Sequence, residues 1–158
     1  MRLIKLAVIS VLFFGVILTL ISLLIPRHIR ISRGTNILAD KQQVARLIRN
    51  TSKWNQWHPL MQKEENLQDF VVTILQQNDT LIRAQLSNKS GTTLSHKWQL
   101  HTYEASDSSA LFWTFEFDMG WTPWKRFSSI FYDKAYGGMI EQGLQNLKVA
   151  VEQKEFKD

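Results

Sequence analysis

Histidines 28, 58, 96 and 101 are the side chains of this chain suited to proton transfer near neutral pH. His96 stands in the run Leu94-Ser95-His96-Lys97-Trp98-Gln99-Leu100. Strand alternation puts Leu94, His96, Trp98 and Leu100 on one face, with Lys97, Gln99 and His101 on the other. By this parity His96 is the only ionisable group directed inward. An imidazole there donates a hydrogen bond to a ligand, acts as a base, or is a core histidine satisfied by backbone or water. His101 faces away and cannot share a metal with it; His28 lies in a basic flank and His58 beside Pro59, so no metal-ligand spacing is present. The chain has no cysteine, which excludes disulfides, zinc-thiolate sites and thiol nucleophiles. Glu116 and Asp118 alternate outward, no serine sits in a nucleophile elbow, and no glycine loop could cradle a phosphate. The expectation is therefore no catalytic residue, no metal and no cofactor.

The residues surrounding His96 are apolar and large. Leu111, Trp113, Phe115 and Phe117 share a face of the next strand, and Ile82, Ala84 and Leu86 extend the same surface on the preceding one. Such a wall suits an apolar ligand and suits a plain core equally well. The candidate ligand wall is His96, Trp98, Leu100, Trp113, Phe115, Phe117, Ile82 and Ala84. Trp54 and Trp57, on a short helical turn stopped by Pro59, join it either as a lid or as packing between helix and sheet.

Positioning these side chains requires a sheet with something closed over it. Four strands are expected at Phe70–Gln76, Thr80–Ser87, Thr92–Glu104 and Ala110–Met119, separated by hairpin-type turns at Asn78-Asp79, Asn88–Gly91 and Ser106–Ser109. Connections this short make neighbours antiparallel. An earlier strand is expected from His28 to Leu38, and Asp40 with Gln43 reads as a capping box opening a short helix on Val44, Leu47 and Ile48. Gln62–Gln68 is polar and reads as a loop. Thr122-Pro123 opens a brief helix with a Trp124, Phe127 and Phe131 stripe, hinged by Gly137-Gly138 to the long terminal helix. In that helix Ile140, Gly143, Leu144, Leu147 and Val151 form one stripe up to about Gln153, which closes over the sheet. Three Asn-x-Ser/Thr patterns, at Asn50, Asn78 and Asn88, are read as chance, since turns favour asparagine.

The chain starts with a different kind of segment. Leu6–Ile25 carries no charge and, as a helix rising about 1.5 Å per residue, spans roughly 30 Å, the thickness of a hydrocarbon core. It is longer than the apolar region of a cleaved signal and ends without a small-x-small site, so it reads as a single-pass anchor. Arg2 and Lys5 precede it and favour an N-in orientation, with the remainder outside the cytoplasm. Of 19 Lys+Arg in the chain, Arg2, Lys5, Arg27, Arg30 and Arg33 flank this run, and the rest balance the 14 Asp+Glu. The basic surplus therefore belongs to membrane flanks, which argues against nucleic acid.

The order of strand, two short helices, strand meander and long terminal helix resembles the SRPBCC superfamily of START-like, polyketide cyclase and lipid-transfer proteins. Ile29–Asp40 with Val44 is similar to its opening strand and first turn. Trp54-Asn55-Gln56-Trp57-His58-Pro59 is similar to the W-x-x-W-x-P stretch of bacterial members, and Gly143-Leu144 with Leu147-Lys148 to the G-L-x-x-L-K of the closing helix. The resemblance covers about residues 28–154. It implies an α+β helix grip, an antiparallel sheet wrapped around the terminal helix, with about six strands between the second helix and the last, where four are legible. It divides the chain into an anchor, 1–27, and a helix-grip domain, 28–158. It further implies binding of a hydrophobic small molecule or lipid at the bilayer entered by Leu6–Ile25. The alternatives are a tethered protein-interaction module with a filled interior, and a cyclase-like enzyme.

Overall fold

The computed structural model describes residues 2–62, 69–89, 91, 93–103 and 108–153. Helix α1, Arg2–Leu23, is long and apolar enough to cross a membrane. Two of its polar side chains bond its own backbone: the Thr19 hydroxyl donates to the Gly15 carbonyl and the Ser22 hydroxyl to that of Thr19.

Strand β1, His28–Ile37, follows at once. Helix α2, Lys41–Arg49, then a 3₁₀ turn and the four-residue helix α3, Trp54–Trp57, lead to the meander. Asp40 caps α2 through its carboxylate, which accepts from the Gln42 N–H at 3.1 Å. Asp40→Ala is expected to cost about 1 kcal/mol; an unchanged urea midpoint would show that the cap contributes nothing.

The meander comprises β2 (Phe70–Gln77), β3 (Leu81–Asn88), β4 (Thr93–Thr102) and β5 (Ser109–Asp118). All pairings are antiparallel, in the order β1-β5-β4-β3-β2, so the first strand closes on the last. Between α3 and the terminal helix the described residues contain four strands, as the sequence indicates; most of Gln62–Gln68 lies outside them. After β5 come α4, Pro123–Ser128, a 3₁₀ turn, and α5, Tyr132–Glu152.

The expected alternation is the one observed. Ile82, Ala84, Leu86, Leu94, His96, Trp98, Leu100, Leu111, Trp113 and Phe115 are all buried, and Phe117 is half-buried. On α5 the buried stripe is Ile140, Gly143, Leu144 and Leu147, ending on Ala150 with Val151 half-buried.

Several expectations are corrected. Gly137-Gly138 is no hinge: α5 begins five residues earlier and runs straight through it. A Cβ at Gly137 would lie 2.5 Å from the Arg33 guanidinium, so the glycine lets the helix pass over that side chain. Arg33 is therefore not a membrane-flank charge. It is paired across the strand with Trp113, on the inner face, and donates to Asp133 (2.9 Å) and Glu141 (2.8 Å) of α5. Arg27 likewise makes a two-pronged pair with Asp118, which holds that carboxyl well below the usual carboxylate range, and Arg30 meets Glu116. The long helix packs mainly over β1, while α2 reaches β3 and β4. On α4 and the turn after it, Trp124 and Phe131 are exposed, while Arg126 and Ser129 are buried.

Candidate functional site

The inner sheet surface and the short helices meet in a box of aromatic rings around His96. Cross-strand register sets Ala84, His96 and Phe115 in one row and Ile82, Trp98 and Trp113 in the next. Trp54 and Trp57 descend onto this surface from α3, both buried, and Trp54 is fixed by donating its indole N–H to the Ile48 carbonyl at 2.8 Å. The role of these two tryptophans in the fold is packing of helix on sheet.

His58, set aside in the sequence as a neighbour of Pro59, is a full member of the box. It is completely buried, stacks flat on Trp54 with centroids 5.1 Å apart, and meets the His96 ring at 5.2 Å. His96 in turn stacks on Trp98 at 5.4 Å and abuts Phe115 at 4.6 Å. His96 is thus not alone on the inner side; His58 and Arg33 share it. A signal for His58 did exist: it follows Trp54 by four residues, the spacing that places two side chains on one helical face.

The long helix holds the box from the other side. Asn146 donates to the Trp57 carbonyl at 3.2 Å. At Gly143 a Cβ would overlap the Trp113 ring and crowd Pro59, so only glycine admits the helix this close. Gly143→Ala is expected to destabilise by about 1–3 kcal/mol through overpacking, read as a lower denaturant midpoint; an unchanged midpoint would contradict the close approach.

Hydrogen bonds fix the histidine tautomers. The Leu60 N–H donates to His58 Nδ1 at 3.3 Å, and the Trp113 indole N–H to His96 Nδ1 at 3.2 Å. Burial pushes His58 down to about 3 and His96 well below its ordinary value, so both rings are neutral at pH 7. With each Nδ1 accepting, the single proton of each ring sits on Nε2. Those two Nε2–H groups, and the indole N–H groups of Trp57 and Trp98, are buried without a hydrogen-bond partner among the described residues. Four donors on neighbouring rings thus lack an acceptor. Each costs on the order of 1–3 kcal/mol when left unsatisfied, and together they rival the whole stability of a domain. An N–H over a neighbouring ring face recovers only part of that.

No carboxylate is bonded to either histidine among the described residues, and no group there could hold a metal ion. Outside the box, Leu100 is buried opposite Leu111, and Phe117 packs on Tyr132 and Tyr136 of α5, each at 4.9 Å. A surface groove of about 290 Å³ lies between α3 and β2, lined by Thr51, Ser52, Asn55, Met61, Phe70 and Val72 together with Trp54. Trp54 thus belongs to both groove and box.

No family model matches the sequence, and a search of curated proteins finds no match. Solved structures do match. A START superfamily protein from Mycobacterium smegmatis aligns with TM-score 0.57 and 15% identity over 78% of this chain and 97% of its own. The Zhui aromatase/cyclase from Streptomyces sp. R1128 aligns with TM-score 0.52 and 11% identity over 80% and 95%. The protein XoxI from Bacillus cereus gives 0.53 and 16% over 81% and 99%. At such identities the likeness defines a backbone and carries no residue roles. The five-stranded antiparallel sheet, the paired short helices and the long closing helix make the same helix-grip fold as these START and aromatase/cyclase structures.

Proposed function

We propose that this chain is a membrane-anchored binding domain for an apolar small molecule or lipid that carries a hydrogen-bond acceptor, such as an ester or ketone oxygen. The observation that carries the reading is the set of four buried N–H donors, on Trp57, His58, His96 and Trp98, that no group among the described residues accepts. Apolar rings supply the affinity and the donors select an oxygen among them. The groove beside α3, which Trp54 joins to the box, is the route of entry. Anchoring rests on α1, followed within a few residues by the first strand, so the domain stays at the bilayer surface. Arg2 and Lys5 ahead of the apolar run keep the N-in orientation as part of the proposal. Two neutral imidazoles with no carboxylate bonded to them among the described residues favour binding over conversion of the ligand.

The completeness of the ring packing favours a second reading, a protein-interaction module whose interior is filled by its own side chains and internal water. Methyl laurate and pentadecane, matched in chain size, separate the two. With the full chain in lipid nanodiscs, methyl laurate is expected to move the indole N–H resonances of Trp57 and Trp98 downfield, and pentadecane is not. Resonances unmoved by either probe would favour the filled interior.

A further inference from the structure

The connection from β5 to α5 exposes an unusual amount of aromatic surface. Trp121, Trp124, Ile130 and Phe131 are 76%, 70%, 63% and 68% exposed. Isolated exposed hydrophobics need no explanation, but four within eleven residues make a patch that marks an interaction surface. The patch is not loose. Gly120, at φ +62°, turns the chain out of β5, and its N–H is accepted by Asp118, which also holds Arg27. The Met119 N–H donates to the Arg27 carbonyl at 2.9 Å.

Arg126 then ties the segment to the end of α1. Its side chain is buried, and it donates to the carbonyls of Ser22 (3.2 Å), Ile25 (3.3 Å) and Gly120 (3.2 Å). It thereby caps the last turn of the apolar helix, where carbonyls are left over and a cation is favoured by the helix dipole. Ser22 is the one residue of α1 that is buried, while Leu23 and Leu24 beside it are exposed. The aromatic patch is therefore held at the level where α1 stops, which is the level of the lipid headgroups if α1 spans a bilayer. Tryptophan concentrates there, with its ring in the acyl boundary and its N–H among the headgroups.

We propose that Met119–Phe131 is a second membrane contact, with Trp121, Trp124, Ile130 and Phe131 seated in the acyl–headgroup boundary next to α1. The contact fixes the orientation of the helix grip on the bilayer. It rests on the reading of α1 as a membrane anchor, and the test separates the two.

Full-length chain is reconstituted into phosphatidylcholine vesicles, plain or brominated on the acyl chains near the headgroup, and floated on a density gradient before its tryptophan emission is read. The design is clean because α1 contains no tryptophan and Trp54, Trp57, Trp98 and Trp113 are buried in the domain. The expected result is loss of up to the share of two of the 6 tryptophans in brominated vesicles, and no loss in a Trp121→Phe/Trp124→Phe double variant. Chain that floats with the vesicles but is quenched no more than the double variant overturns the second contact and leaves the anchor standing. Chain that does not float overturns the anchor, and this proposal with it.

Discussion

Acidification from pH 7 to about pH 4.5 is expected to unfold the domain, and the loss begins near pH 6.5. His58 and His96 are buried and neutral, His58 held down to about 3 and His96 well below its ordinary value. In the unfolded chain both titrate near 6.5. Between those limits the unfolded state binds protons that the folded state refuses, so stability falls as the pH falls. Each histidine contributes a slope of about 1.4 kcal/mol per pH unit. His58 removes on the order of 3 kcal/mol over two units, and His96 adds to the fall, so the loss is a large share of the net stability of a small domain. Above pH 7 they contribute no slope. Asp118 has the opposite kind of shift and cannot be confused with them. Its depressed value supplies stability above the ordinary carboxylate range that is lost only as the pH falls through and below that range. Urea midpoints at half-unit steps from pH 7.5 to 4.5 measure the effect. A flat profile between pH 7 and 5 would mean that the histidines are solvated and the box is open.

Replacing Leu147 by alanine is expected to cost about 2–5 kcal/mol. Leu147 is completely buried on the stripe of α5 that includes Ile140 and Leu144, beside the glycine that lets the helix touch Trp113. Truncation removes buried methyl groups and leaves a cavity that a helix pinned at both ends does little to collapse. The pinning is visible: Arg33 bonds Asp133 near the start and Glu141 at the middle, and Glu152 accepts the Leu38 N–H at 2.9 Å near the end. Val149, on the outward side of the same helix, is the control, since exposed substitutions change stability by less than about half a kilocalorie. A Leu147→Ala variant as mild as Val149→Ala would mean that the helix does not grip the sheet there.

What was legible in the sequence is what short-range geometry decides. The inward set from Ile82 to Phe115 follows from strand alternation, and Ile140, Gly143, Leu144 and Leu147 from helical spacing; neither depends on how the elements later meet. What escaped depends on contacts far apart in the chain. Arg33 looked like a membrane-flank charge because its partners, Asp133 and Glu141, lie about a hundred positions downstream. His58 looked incidental because its burial comes from the docking of α3 onto the sheet. Gly137-Gly138 looked like a break because helix propensity penalises glycine, whereas Gly137 is kept by the space that Arg33 needs.

The reading of the box as a binding site is tested most directly by mass spectrometry of small molecules released on denaturing the full chain purified from its native cells. The expected result is an apolar compound bearing an oxygen acceptor, near one per chain, and missing from a folded His58→Phe/His96→Phe variant. Chain that is folded, stable and empty, or that carries the same lipids with and without the two histidines, would contradict it.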